Sequence, residues 1–157
     1  ALETGQDIFA IDISPAALAV SLLNLQRHHL TEKVQLVEGD LLEPLKGNGS
    51  CSLIVSNPPY VSNHDVAQNL EPEVTDFEPH LALEGGERGM DLIKKIRLQT
   101  EDVLISGGQL FMEFGAEQGE EIRELFSQKT EDGGGFSKVE ILKDYAGRDR
   151  VLHAVKS

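Results

Sequence analysis

The chain has no tryptophan, one cysteine, and only two tyrosines and six phenylalanines. A lone Cys51 cannot form an internal disulfide and has no CxxC partner, which excludes a disulfide scaffold and a cysteine-built metal site and points to a reducing compartment, the cytoplasm or a mitochondrion. No apolar run reaches the ~20 residues that span a bilayer, and Ala1 to Asp7 lacks the basic region and apolar core of a signal peptide, so no membrane is expected. Basic residues are scarce: 14 Lys and Arg stand against 27 Asp and Glu, a formal net charge of -13. Such a surface repels phosphate backbones. The one modest basic cluster, Lys94, Lys95 and Arg97, falls on an expected helix flanked by acids, so no direct nucleic-acid partner is expected. His28, His29, His64, His80 and His153 show no ligand spacing, and no metal is expected. Repeats and low-complexity segments are absent.

What is present is ordinary for a globular α/β domain: 157 residues, 39% hydrophobic and 26% charged, enough for one core. Strand and helix patterns alternate, which predicts a parallel sheet covered on both faces. Ile8 to Ile11 reads as a buried strand. Ser14 and Pro15 start a helix in which Leu18, Leu22 and Leu25 share a face, ending near His28. Val34 to Val37 and Leu53 to Ser56 are further strands, the latter buried. A long polar stretch, Val61 to Gly89, has no clear period, and loops of that length are usually functional. Asp91 to Ile105 reads as a helix with Ile93, Ile96 and Val103 inward, Leu110 to Phe114 as a strand, and Glu117 to Gln128 as a helix with Ile122, Leu125 and Phe126 inward. Phe136 to Leu142 and Val151 to Val155 are joined by too few residues for a crossover helix and are expected to be antiparallel.

The most informative feature is Asn57-Pro58-Pro59-Tyr60, directly after the Leu53 to Ser56 strand. Two prolines stop ladder pairing and stiffen the exit. One amide side chain, one free carbonyl and one aromatic ring are thereby presented at a strand's carboxyl end, where open α/β sheets bind ligands. An amide, a carbonyl and a ring suit a flat NH2 group whose nitrogen attacks an electrophile. Asn-Pro also marks turns, and Asn-Pro-x-Tyr docks phosphotyrosine-binding domains, although such motifs normally lie in disordered tails. Asp12 ends the first strand, where a carboxylate can accept both hydroxyls of a ribose or simply favour a helix N-terminus. Asp40 ends the next strand and could reach the exocyclic amine of adenine, with Leu41 bordering the ring; Gly39-Asp40-Leu41 could equally be a plain turn. Gly107-Gly108-Gln109 has the letters of the release-factor loop that hydrolyses peptidyl-tRNA, but between a helix end and a strand it reads as a helix C-cap.

With the tetrapeptide, the long stretch carries Leu70-Glu71-Pro72-Glu73-Val74, Phe77-Glu78-Pro79, Ala82-Leu83, Gly85-Gly86 and Gly89-Met90-Asp91. Gly115-Ala116-Glu117-Gln118 and Gly147 to Arg150 follow. Together these resemble the peptide chain release factor glutamine N5-methyltransferases, the HemK/PrmC family, over essentially all 157 residues. The resemblance implies the class I S-adenosylmethionine-dependent methyltransferase fold, a Rossmann-like α/β sheet of strand order 3-2-1-4-5-7-6. Here the first, central strand and its glycine-rich cofactor loop are missing, as is the family's amino-terminal helical domain. Ala1-Leu2-Glu3 reads as a helix tail, and residues 1–157 as an amino-terminally truncated catalytic domain. The implied activity is methyl transfer from S-adenosylmethionine to a glutamine side chain in the Gly-Gly-Gln motif of a peptide chain release factor. Asn57, Pro58, Pro59 and Tyr60 would be the catalytic residues, and Asp12, Asp40, Leu41 and Asn57 the cofactor contacts. Methylation of adenine N6 or cytosine N4 in nucleic acid uses similar tetrapeptides on the same fold. A cofactor-incompetent fragment that only binds a partner is the non-enzymatic reading.

Overall fold

The computed structural model describes residues 1–47, 50–61, 86, 89–130 and 133–157. The Glu-Pro motifs, Ala82-Leu83, Gly85, His64 and His80 lie outside the described residues. The chain divides into two units, Ala1–Lys46 and Gly47–Ser157.

In the first unit, β1 (Ile8–Asp12) and β2 (Val34–Glu38) pair in parallel, Ile8 opposite Val34 and Asp12 opposite Glu38. Between them runs α1 (Pro15–Arg27). Its start follows the sequence closely: the Ser14 hydroxyl accepts from Ala17 N at 3.3 Å, and Pro15 opens the first turn without wasting a donor. Its end is a Schellman motif. Leu30 N donates to Leu25 O at 2.9 Å and His29 N to Gln26 O at 3.2 Å, with His29 left-handed at φ 56°. Leu18 and Leu25 are half-buried, but Leu22 is 44% exposed, so the expected face is corrected to Ala17, Leu18, Ser21 and Leu25. β1 is likewise less buried than its apolar letters suggest, with Ile8 and Phe9 exposed. Ala1 to Glu3 is a turn closed by Gly5 N on Ala1 O, not the tail of a helix.

The second unit holds β3 (Cys51–Ser56), α2 (Asp91–Val103), β4 (Leu104–Glu113), α3 (Gly119–Ser127), β5 (Phe136–Lys143) and β6 (Asp149–Lys156). Its sheet order is β3-β4-β6-β5; β3 and β4 are parallel, and β6 is antiparallel to both β4 and β5. The expected antiparallel pair is therefore present. A turn at Asp144 closes it, the carboxylate accepting from Ala146 N and Arg148 N at 2.8 and 2.9 Å. In the numbering of the class I methyltransferase sheet, β2-β1 is 3-2 and β3-β4-β6-β5 is 4-5-7-6; no described strand takes position 1.

One face of the larger sheet carries the core. Ile54, Leu110, Met112, Leu152 and Ala154 alternate onto it, and Ile93, Ile96, Val103, Ile122 and Phe126 are the buried apolar stripes of α2 and α3. Each large side chain buried this way contributes about 1.5–3 kcal/mol. Among the described residues of this unit, the buried apolar side chains of α2 and α3 pack on that face. β3 is accordingly an edge strand, not a buried one: Leu53 and Val55 on its other face are 53% and 75% exposed.

Arg97 is drawn into this core by partners: Glu101 Oε1 at 2.6 Å, Gln128 O at 3.0 Å, and the rings of Phe126 and Phe136. Lys156 Nζ donates to Leu104 O at 2.7 Å and to Glu101 O, capping the end of α2 with a cation. That helix stops at Val103, two residues before the sequence pattern ends, because Leu104 is already extended and enters β4. Gly107-Gly108 is thus an irregularity within a strand rather than a helix cap. Cys51 pairs with Leu104 and Leu53 with Gln109, so residues 105–108 stand opposite Ser52 alone.

Candidate active site

β3 delivers Asn57 to Tyr60 at its carboxyl end, as the sequence predicts. Asn57 is exposed, Pro58 is buried, and Pro59 and Tyr60 are half-buried. The prolines anchor the exit while the amide side chain stays accessible. Tyr60 is held at both ends. Its hydroxyl donates to Glu113 Oε1 at 3.1 Å, and its carbonyl accepts from Gln118 Nε2 at 3.1 Å. Burial raises the Tyr60 phenol above its ordinary range, with the hydrogen bond to Glu113 and that carboxylate's charge adding to the rise while Arg150 opposes it. The phenol is therefore a neutral ring with its one proton committed to Glu113.

Glu113 ends β4 beside the ladder bond from Phe114 N to Arg150 O at 3.0 Å, and Arg150 Nη1 donates back to Phe114 O at 3.1 Å. Gln118 belongs to the 3-10 turn Ala116–Gln118 that leads into α3. Gly89 comes so close that a Cβ there would collide with the Tyr60 carbonyl, and its φ of +70° already favours glycine. Sequence reasoning gave Glu113 no role, although an acid at a strand's carboxyl end is the same signal that singled out Asp12.

In the first unit, Asp12 and the Asp40-Leu41 turn leave the same end of the β1–β2 pair, where Gly39 N donates to Asp12 O at 3.1 Å. Asp12 Oδ1 accepts from Ser14 N at 2.8 Å, so one oxygen of an exposed carboxylate orients the start of α1. Asp40 is half-buried and its carbonyl accepts from Glu43 N at 3.1 Å. Gly39 leaves no room for a side chain, since the Pro44 ring packs onto it with Cδ at 2.9 Å from where a Cβ would stand. Leu41 has φ +55°. A branched side chain in the left-handed region costs roughly 1–2 kcal/mol, and such strain concentrates where function needs a particular backbone. Nothing in the letter Leu predicts it.

The methyltransferase small domain model matches residues 2–87. The chain belongs to the methyltransferase small domain family. Curated relatives of this family member are named release factor glutamine methyltransferase. The one from Clostridium acetobutylicum is 35% identical over 96% of this chain and 51% of its own length, and the one from Geobacter sulfurreducens 38% over 92% and 48%. The chain spans about half the length of the curated relatives it matches. Among solved structures, a predicted O-methyltransferase from Agrobacterium tumefaciens superposes with TM-score 0.60 at 13% identity, covering 96% of this chain and 62% of the other. A Streptococcus mutans protein in complex with SAH gives 0.52 at 15% identity, over 96% and 76%. At such identities the likeness is one of fold, and it agrees with the strand orders above. Among the described residues of this methyltransferase-family chain, no cluster of His, Cys, Asp and Glu could hold a metal ion, and no helix is long and apolar enough to cross a membrane.

Proposed function

We propose that this chain carries the catalytic residues for S-adenosylmethionine-dependent N5-methylation of a glutamine side chain in a peptide chain release factor. The observation that carries the reading is the Asn57 to Tyr60 exit of β3: an exposed amide beside a fixed, neutral aromatic ring. The names of the relatives at 35–38% identity support the choice of acceptor.

A glutamine nitrogen is a poor nucleophile because its lone pair is delocalised into the carbonyl. Asn57 Oδ1 and the Pro58 carbonyl would accept its two N–H bonds, which enriches the nitrogen and fixes its direction. The Tyr60 ring would lie against the flat amide and exclude water, a role that needs no proton from its hydroxyl. Positioning and oriented dipoles then carry most of the rate. The donor set of the first unit suits a nucleoside: Asp12 for the ribose hydroxyls, Asp40 for the adenine amine, and the Leu41 turn beside the ring, with Asn57 counted as a further contact of the cofactor. S-adenosylmethionine, when bound, supplies the electrophilic methyl group.

The test is transfer of radiolabelled methyl from S-adenosylmethionine by the product of the full open reading frame that carries this chain, offered release factor, DNA and tRNA side by side. Label on a release-factor glutamine is the expected result. Label on nucleic acid alone, or on nothing, overturns the reading.

A further inference from the structure

The Gln118 side chain ties three backbone groups to a single amide. Its Oε1 accepts from Gly115 N at 2.9 Å. Its Nε2 donates to Tyr60 O at 3.1 Å and to Gly89 O at 3.2 Å. The bond to Gly115 is half of a capping box at the start of a 3-10 turn, and a local structural role accounts for it. The two bonds from Nε2 are not local: Tyr60 is 58 residues away and Gly89 is 29. The amide's orientation is fixed by chemistry, since a backbone N–H faces one end and two carbonyls face the other.

Gly89 gives an independent sign that this junction is tight. It combines φ +70° with an approach that leaves no space for a Cβ, which would lie 2.6 Å from Gln118 Nε2 and closer still to the Tyr60 carbonyl. Three backbone segments therefore meet on one side chain: the exit of β3, the entry to α2, and the turn before α3.

We propose that Gln118 is a positioning residue for methyl transfer, holding the Tyr60 carbonyl so that the Asn57 to Tyr60 segment presents its amide, carbonyl and ring in one fixed geometry. The inference rests on the reading of that segment as the acceptor site. Gln118 touches neither substrate nor donor in this role; it acts through Tyr60. Misplacing a reacting group by about 1 Å costs on the order of 10²-fold in rate, so a tether of this kind controls turnover rather than donor affinity.

Two variants break the tether from opposite sides. Gln118→Glu keeps the acceptor for Gly115 N but turns a carboxylate oxygen toward two carbonyls. Gly89→Ala drives a methyl group into the same junction. Both are made in the full open reading frame, with folding checked by circular dichroism; Gln118→Met, which removes the hydrogen bonds without adding charge, stands in for either one that does not fold. The expected result is a fall in kcat on the order of 10²-fold with KM for S-adenosylmethionine nearly unchanged. Adding Gln118→Glu to Asn57→Ala should cost nothing further. Folded variants with wild-type kcat, or losses that multiply with that of Asn57→Ala, overturn the proposal and leave Gln118 a helix cap.

A readout without catalysis separates this inference from the functional one. The sequence has two tyrosines, so phenol absorbance can follow Tyr60 with Tyr60→Phe as the reference. Freed from its tether, Tyr60 should leave Glu113 and titrate at lower pH in Gln118→Met, which adds no charge of its own beside the phenol. If the wild-type protein methylates no release factor, the functional reading fails while this titration still judges the tether. An unmoved Tyr60 titration overturns it.

Discussion

Tyr60 donates its phenol proton to Glu113 Oε1 at 3.1 Å across the carboxyl ends of β3 and β4. The hydroxyl is thus spent on the protein's own carboxylate, and the surface left for a ligand is the ring. Tyr60→Phe should keep turnover within about tenfold of wild type, since a net hydrogen bond is worth roughly 0.5–1.5 kcal/mol. Tyr60→Ala should lose far more, because the ring itself goes. Equal losses in the two variants, measured as kcat/KM for the acceptor, would mean that the hydroxyl takes part directly.

The same contact makes stability depend on alkaline pH. Burial and Glu113 raise the folded phenol above its unfolded value of about 10. The folded state therefore holds this proton more tightly, and the associated stability is fully present below the unfolded pKa. It falls as pH rises from about 10 through the folded value. Urea midpoints should decline over that window in the wild type and decline less in Tyr60→Phe. Parallel curves would remove Tyr60 from the alkaline transition.

Asn57 is the exposed amide of the segment, and the proposed chemistry has no other side chain to take the substrate's N–H. Asn57→Ala should lower turnover by ~10²–10³, the usual cost of an oriented dipole at a reacting group, without shifting the unfolding midpoint. Turnover within tenfold of wild type would falsify the assignment.

How far the letters reached is clear element by element. The apolar periods of Ile93, Ile96 and Val103, and of Ile122 and Phe126, match their buried faces because packing on a sheet enforces a helical stripe. Pro15 and the Asn57 to Tyr60 exit were legible because proline restricts backbone wherever it occurs. The apolar runs of β1 and β3 misled: composition reports that a strand can be buried, whereas exposure depends on which elements cover it. Gly107-Gly108 was misread because glycine after a helical pattern and glycine in a strand irregularity look the same until register is known. Glu113 and Gln118 escaped because their partners, Tyr60 and Gly89, are distant in sequence and no local pattern encodes the contact.

In the proposed site Asp12 would serve two ends at once, the start of α1 and the ribose hydroxyls, and the substitution that separates them is Asp12→Asn. An asparagine oxygen can still accept from Ser14 N, so the turn into α1 is kept. The negative charge and one acceptor for a pair of ribose hydroxyls are lost. Those contacts are remote from the transferred methyl and should be made equally in ground and transition states. KM for S-adenosylmethionine should therefore rise, by about tenfold for one weakened hydrogen-bonded pair, with kcat nearly unchanged. A lowered kcat at constant KM would refute the ribose role.

His29 offers a gain in stability with no bearing on the proposed chemistry. It occupies the left-handed position of the Schellman motif that ends α1, at φ 56°, where Leu30 N and His29 N satisfy the last carbonyls of the helix. The motif is sound, but the residue is not the one it favours: a side chain in this conformation costs roughly 1–2 kcal/mol that glycine avoids. Part of that gain is returned through the greater freedom of glycine in the unfolded chain. His29→Gly should raise stability by about 1 kcal/mol net, visible as a higher urea midpoint with an unchanged slope, because the surface exposed on unfolding stays the same. His29→Ala is the control, since alanine keeps the Cβ that makes the conformation costly, and it should give no such gain. If alanine stabilised the chain as much as glycine, the strain would lie in the imidazole and not in the backbone.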